Sequence, residues 1–164
     1  MISYDKKEIE FNGCPGCAYA NHEFSLSCGI AYENNNFVVS QDWELPIKGF
    51  MIISPKRHVN KMIELNKQEK VELFSLIDNI NQILYNNQIA DTFVVTFEER
   101  EGIHFHACIL PRHEWMKKIA RHVADNFIQI ADFAKQTFTT SRDYDEIKAV
   151  SMLVGEGLKQ IEKF

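Results

Sequence analysis

The sequence is poor in the residues that mark extended or cross-linked chains. Among 164 residues there are only seven glycines, four prolines and four cysteines. So little glycine and proline excludes collagen-like and low-complexity architectures. Four cysteines in a chain of this length make no disulfide framework. No run of 18 apolar residues occurs, so no membrane-spanning helix is expected. The opening residues, MISYDKKEIEF, lack the apolar stretch of a secretory signal, and a cytoplasmic location is the expectation. Basic excess is missing too: 18 Lys and Arg against 23 Asp and Glu leave a formal charge of −5. That balance argues against broad nucleic-acid binding and leaves room for a single nucleotide.

What remains is an ordinary soluble composition, 45% hydrophobic and 25% charged, at a length that fits one core. Two strand-like runs, 29–33 and 37–41, flank the turn Asn34-Asn35-Asn36. A third run, 50–54, is nearly all apolar and meets Pro55, which lacks the backbone donor a strand needs. Asn66 followed by Glu69 has the form of a capping box. Leu73, Phe74, Ile77, Ile80 and Leu84 then recur at helical spacing, which predicts a helix over 67–86. Strands are expected at 92–98 and 103–110, paired as a hairpin across the charged turn 98–102. One helical stripe follows through Met116, Ile119, Val123, Phe127, Ile130 and Ala134, and another through Ile147, Val150, Val154, Leu158 and Ile161. The fold class is α+β, an antiparallel sheet with flanking helices and a C-terminal helical extension. The expected division is a domain over 1–115 and an extension over 116–164 packed on it.

Two clusters carry chemistry. Cys14-Pro15-Gly16-Cys17 can turn two thiols onto one metal ion, with the Pro-Gly pair making a tight turn. A redox pair and two incidental buried cysteines are the alternatives. A closed tetrahedral site needs two more ligands. Of the six histidines, His58 follows a buried strand and a Pro-Lys-Arg turn, and His104 lies in a predicted strand. These two are the preferred partners. The second cluster is His104-Phe105-His106-Ala107-Cys108-Ile109. Alternation places His104, His106 and Cys108 on one face and the apolar residues on the other. A metal held by both histidines, alone or with Cys14 and Cys17, is the competing reading. Arg112 is equally suited to phosphate oxygens or to a surface ion pair. Lys56 and Arg57 read as a solvated turn. His113 is a candidate for the phosphate site, and Trp43 and Phe37 are candidates for stacking on a base or for the core.

The segment His104-Phe105-His106-Ala107-Cys108-Ile109-Leu110-Pro111-Arg112 resembles the signature of the histidine-triad superfamily, His-x-His-x-His followed by apolar residues and often Pro-Arg. Cys14-x-x-Cys17 is similar to that of its zinc-carrying members. Asp42 to Pro46 and Gly49 to His58 are similar to the family's Asp, Pro, apolar strand and Pro-Lys-x-His. The resemblance spans about residues 10–115 and excludes the tail. It implies an antiparallel sheet flanked by helices, commonly in a homodimer, that binds a nucleotide against the signature strand. It implies a middle histidine that attacks an α-phosphorus and carries the nucleotidyl group, with water or another phosphate resolving the intermediate. Zinc-carrying relatives, including the galactose-1-phosphate uridylyltransferase branch, use ligands that match Cys14, Cys17, His58 and His104. The same resemblance assigns His106 as nucleophile and Asp42 to the ribose hydroxyls, with Cys108 and Arg112 as further nucleotide contacts. The zinc it implies is structural.

The chain departs from the signature at three places. Cys108 stands for the third histidine, Phe50 for a common histidine, and Glu98-Glu99-Arg100-Glu101-Gly102 for a Gly, Gln and Ser-bearing loop. The leading expectation is a nucleotide hydrolase or nucleotidyltransferase acting on dinucleoside polyphosphates, nucleoside phosphoramidates or nucleotide sugars. The alternative is a nucleotide-binding regulatory module with a structural zinc and little turnover.

Overall fold

Local chemistry starts each element. Asn34 Oδ1 accepts the amides of Asn36 and Phe37 at 2.9 and 2.8 Å, closing the first hairpin between β1 (Ile30–Glu33) and β2 (Phe37–Gln41). Such Asx turns are the reason asparagine punctuates strands. β3 (Met51–Pro55) ends at the proline, as its missing donor requires. Asn66 and Glu69 form a reciprocal capping box at the start of α2 (Lys67–Asn86), which satisfies two otherwise orphaned amides. Thr140 and Asp143 do the same for the last helix, Ser141–Ile161. The computed structural model describes residues 2–162.

The five strands form one antiparallel sheet in the order β1-β2-β3-β5-β4, where β4 is Phe93–Glu98 and β5 is His106–Pro111. One face carries Phe37, Val39, Met51, Ile53, Ala107 and Ile109 against α2 and the last helix. The other carries Phe50, Ile52, Cys108 and Leu110. Over one end of that face lie α3 (Phe127–Thr137) and the preceding turns, through Met116, Ala120, Val123, Ile130 and Ala134. The last helix becomes α4, and α1 is the short turn of helix Pro15–Ala20. The extension therefore contributes side chains to both faces of the core. No helix among the described residues is long and apolar enough to cross a membrane.

Two expectations need correction. The stripe from Met116 to Ala134 is not one helix: 3-10 turns occupy Glu114–Lys118 and Ala124–Asn126, and α-helix begins at Phe127. Met116, Val123, Ile130 and Ala134 are buried as the stripe predicts and Phe127 is exposed, and the carbonyls of Arg121 and His122 accept side-chain donors from Arg112 and Asn126. The signature strand begins at His106, not at 103. The Phe105 amide donates to Val59 O at 2.7 Å, and the His104 ring bonds Pro55 O. Residues 103–105 thus leave β4 to meet the turn after β3.

Helix α4 lies unusually close to β1. A Cβ on Gly155 would stand 2.0 Å from the carbonyl oxygen of Ala31, which is backbone and cannot swing away. Gly-to-Ala inside a helix ordinarily stabilises by about 0.5–1 kcal/mol. Here the sign reverses. Gly155→Ala is expected to cost about 1–3 kcal/mol through overpacking and to lower the melting temperature by roughly 3–10 °C. A melting temperature equal to or above that of the natural protein would refute this close packing.

Candidate functional site

The site begins with Cys14 at the N-cap of α1 and Cys17 inside it, Pro15 occupying the first helical position. One turn of helix brings both thiols to the same side. His58 comes from the turn after β3, which Arg57 fastens to α2. The Arg57 guanidinium donates twice to Glu69 at 2.8 Å and once to Glu64 O. Lys56 pairs with Glu33 at 2.7 Å. Both basic residues of the turn therefore serve scaffold contacts.

Ligand atoms from Cys14, Cys17, His58 and His104 all lie within 4.8 Å of one another. Cys14 Sγ and Cys17 Sγ are each 3.5 Å from His104 Nδ1, and Cys17 Sγ is 3.3 Å from His58 Nδ1. A tetrahedral zinc with ordinary Zn–S and Zn–N bonds has S···N edges of about 3.5 Å. The donor set and spacing fit zinc. His104 Nε2 donates to Pro55 O at 2.7 Å, which commits Nδ1 to the thiol cluster, as a hydrogen bond on the far nitrogen orients a ligating imidazole. Burial holds the His104 imidazole below its ordinary pKa and so in the neutral form a metal needs. Without a cation beside it, burial and the neighbouring Cys14 push the Cys17 thiol up to about 11. Metal binding at this cluster therefore releases protons.

His106 is not in this cluster. Its Nδ1 donates to the main-chain carbonyl of His104 at 3.0 Å. That bond selects one tautomer and leaves the Nε2 lone pair free. His106 lines a cleft of about 490 Å³, together with His104, Cys108, Asp42, Trp43 and Glu98. Asp42 stands at the other end. Its amide bonds Phe50 O, one level beyond the Gln41–Met51–Ile109 row of the sheet. It is thus offset from His106 by about four residues, or roughly 13 Å of strand rise. Asp42 Oδ1 accepts the amides of Glu44 and Leu45 at 2.9 and 2.7 Å. Burial nevertheless pushes its carboxyl up to about 7, against those two bonds. Further donors to this carboxylate would favour its charged form.

Cys108 forms the cleft floor, buried among Leu45, Ile47 and Phe50, and burial pushes its thiol up to about 12. It is a neutral packing residue that touches the cleft. Arg112 does not line the cleft. Six residues from His106, or roughly 20 Å along the strand, its guanidinium bonds Arg121 O instead. His113 likewise turns elsewhere, bonding Lys48 O at 2.7 Å in a separate small pocket. Phe37 is wholly buried, whereas Trp43 does line the cleft. The structure adds residues that sequence reasoning left in the tail. Phe127, Ala131 and Lys135, one stripe of α3 at four-residue spacing, form the opposite wall. Phe127 belongs to the stripe read from the sequence, whereas Ala131 and Lys135 do not, and the sequence did not reveal which part of the sheet this helix covers.

No family model matches this sequence, and no curated protein matches it. Solved structures do. A zinc-bound histidine triad family protein from Mycobacterium smegmatis aligns over 92% of this chain and 96% of its own, with a TM-score of 0.63 at 15% identity. The chain has the histidine-triad fold. A histidine triad nucleotide-binding protein from Sulfolobus tokodaii agrees at a TM-score of 0.58 and 19% identity, over 89% of this chain and 94% of its own. A HIT-like protein from Bartonella henselae gives 0.59 at 13% identity, over 89% and 99%.

Gly16 makes the Cys/His cluster geometrically specific. A Cβ at that position would lie 2.5 Å from His104 Cγ, and the ring is held by Pro55 O and cannot retreat. Gly16→Ala is expected to weaken zinc binding roughly 10-fold or more, the scale seen when ligand orientation is lost. Strong chelation of the natural protein should lower its melting temperature, because binding is linked to folding. Metal analysis and thermal denaturation check both. Undiminished zinc in Gly16→Ala, or a melting temperature unchanged after confirmed metal removal, would contradict this centre.

Proposed function

We propose that this protein is a nucleotide hydrolase or nucleotidyltransferase in which His106 carries the nucleotidyl group. The observation that carries the reading is the bond from His106 Nδ1 to His104 O at 3.0 Å. It makes Nε2 the nucleophile and aims it into a cleft with a carboxylate at its far end. In this reading Asp42 accepts the ribose hydroxyls. Trp43 and Phe127 offer aromatic faces for the base. The α-phosphorus then lies near His106, with the leaving group directed past it toward the 98–102 turn. Nε2 attacks phosphorus, the bond to the leaving oxygen or nitrogen breaks, and the Nδ1–H bond to the carbonyl stabilises the imidazolium that forms. Cys108 supplies shape and not charge.

Zinc belongs to the fold in this reading: with Cys14, Cys17, His58 and His104 all ligating, no position is left for substrate. It would fix residue 104, whose carbonyl orients the nucleophile. The substrate classes are dinucleoside polyphosphates, nucleoside phosphoramidates and nucleotide sugars.

The same reading includes a homodimer through β4, an edge strand of the sheet. Phe74 and Phe97 are 53% and 36% exposed beside it, with ring centroids 6.2 Å apart. An unprotected edge with exposed aromatics is a surface suited to pairing. Sedimentation is expected to give a dimer at micromolar concentration, and a monomer throughout would remove this part.

Incubation with labelled nucleotides, acid-free quenching and mass spectrometry test the chemistry. The expected result is a nucleotidyl adduct on the His106 peptide. His106→Asn should lose the adduct and at least about 10³-fold in turnover, with nucleotide affinity largely kept. Nucleotide binding without adduct or turnover in the natural protein would instead favour the regulatory-module reading.

A further inference from the structure

A single carboxylate stands beside His106. Glu98 is the last residue of β4 and lies directly opposite His106 in the β4–β5 register. Directly opposed residues of an antiparallel pair share a face, with Cβ atoms about 4.5–5.5 Å apart. Both residues line the cleft. Glu98 is exposed, and its carboxylate takes part in no hydrogen bond or ion pair with the described residues. The turn behind it is fixed: Asn60 Oδ1 accepts the Gly102 amide at 3.1 Å, and Glu99 accepts the Met62 amide at 2.8 Å. Glu99 is therefore committed to that turn, whereas Glu98 faces the cleft.

The other proton-accepting groups of the cleft are committed or remote. His104 uses Nε2 on Pro55 O and turns Nδ1 to the thiols. Asp42 is bound to two amides and sits, with Glu44, at the far end. Cys108 lies in the apolar floor. A histidine-bound nucleotidyl group still needs its acceptor activated. We propose that Glu98 is the general base that activates water to cleave the nucleotidyl–His106 intermediate, so that the enzyme is a hydrolase. The assignment rests on His106 as the nucleophile.

The water oxygen bonds the α-phosphorus as its proton passes to the Glu98 carboxylate. The phosphorus–Nε2 bond breaks with its electron pair returning to His106, which leaves as neutral imidazole. The product is a nucleoside monophosphate with one oxygen from water, and Glu98 later gives its proton to solvent. General bases of this kind contribute about 10²–10⁴-fold.

Glu98→Gln keeps the size of the side chain and removes its basicity. The test follows this variant and the natural protein on a panel of dinucleoside polyphosphates and nucleoside phosphoramidates, by rapid quench and intact-mass measurement. Turnover of the variant is expected to fall about 10²–10⁴-fold, while the nucleotidyl–His106 adduct accumulates to most of the chains. A merely structural residue would not trap the intermediate. Turnover equal to the natural protein's overturns the assignment. So does a loss of turnover with no accumulated adduct, whether nucleotide affinity and melting temperature hold or fall. A natural protein that forms no adduct and releases no product removes the His106 reading, and this assignment with it.

Discussion

Three interactions converge on His104. Its Nε2 donates to Pro55 O, its Nδ1 faces Cys14 and Cys17, and its main-chain carbonyl accepts from His106 Nδ1. Each depends on the others. The Pro55 bond selects the tautomer that can meet the thiols. A metal held there would immobilise the residue whose carbonyl selects the tautomer of the next histidine. Gly16 allows the approach, since any side chain at that position would strike the ring. The scaffold extends outward through Arg57 and Glu69, which fasten the His58 turn to the capped end of α2.

The cleft then follows from the sheet. Alternation along β5 sends Ala107 and Ile109 to the core under α2 and α4, beside Phe105 just before the strand, and His106 and Cys108 to the other face. α3 covers only part of that second face, and the remainder is the cleft. Its contents are unusual for a phosphate site. Among the described residues Lys135 is the one lysine or arginine lining it, against Asp42, Glu44 and Glu98. The account gives each carboxylate at the ends a separate task, ribose at Asp42 and water at Glu98, instead of a shared role in binding phosphate.

Much of this was legible because it is local. The Asn34 turn, the Asn66 capping box, the stop at Pro55 and the α2 stripe are short-range patterns, and each appears where its residues predict, except that Phe74 of the stripe faces outward. The four clustered Cys and His residues were legible too, since ligand type and spacing restrict the choice. What sequence left hidden depends on direction over distance. Arg112 follows the signature closely in sequence but lies at the wrong end of the strand. Residues 116–126 keep a helical spacing while the carbonyls of Arg121 and His122 bond side chains, a choice that no periodicity reveals. Glu98 read as part of a charged loop until strand register set it opposite His106.

The central claim is that residues 104 and 106 are held in opposite tautomers, one for a metal and one for phosphorus. Long-range proton–nitrogen NMR of the zinc-loaded protein, with imidazoles labelled with nitrogen-15, measures this directly. The account predicts His104 protonated on Nε2 with Nδ1 bound to metal, and His106 protonated on Nδ1 with a free Nε2. A His106 protonated on Nε2, or freely exchanging between tautomers, would contradict it.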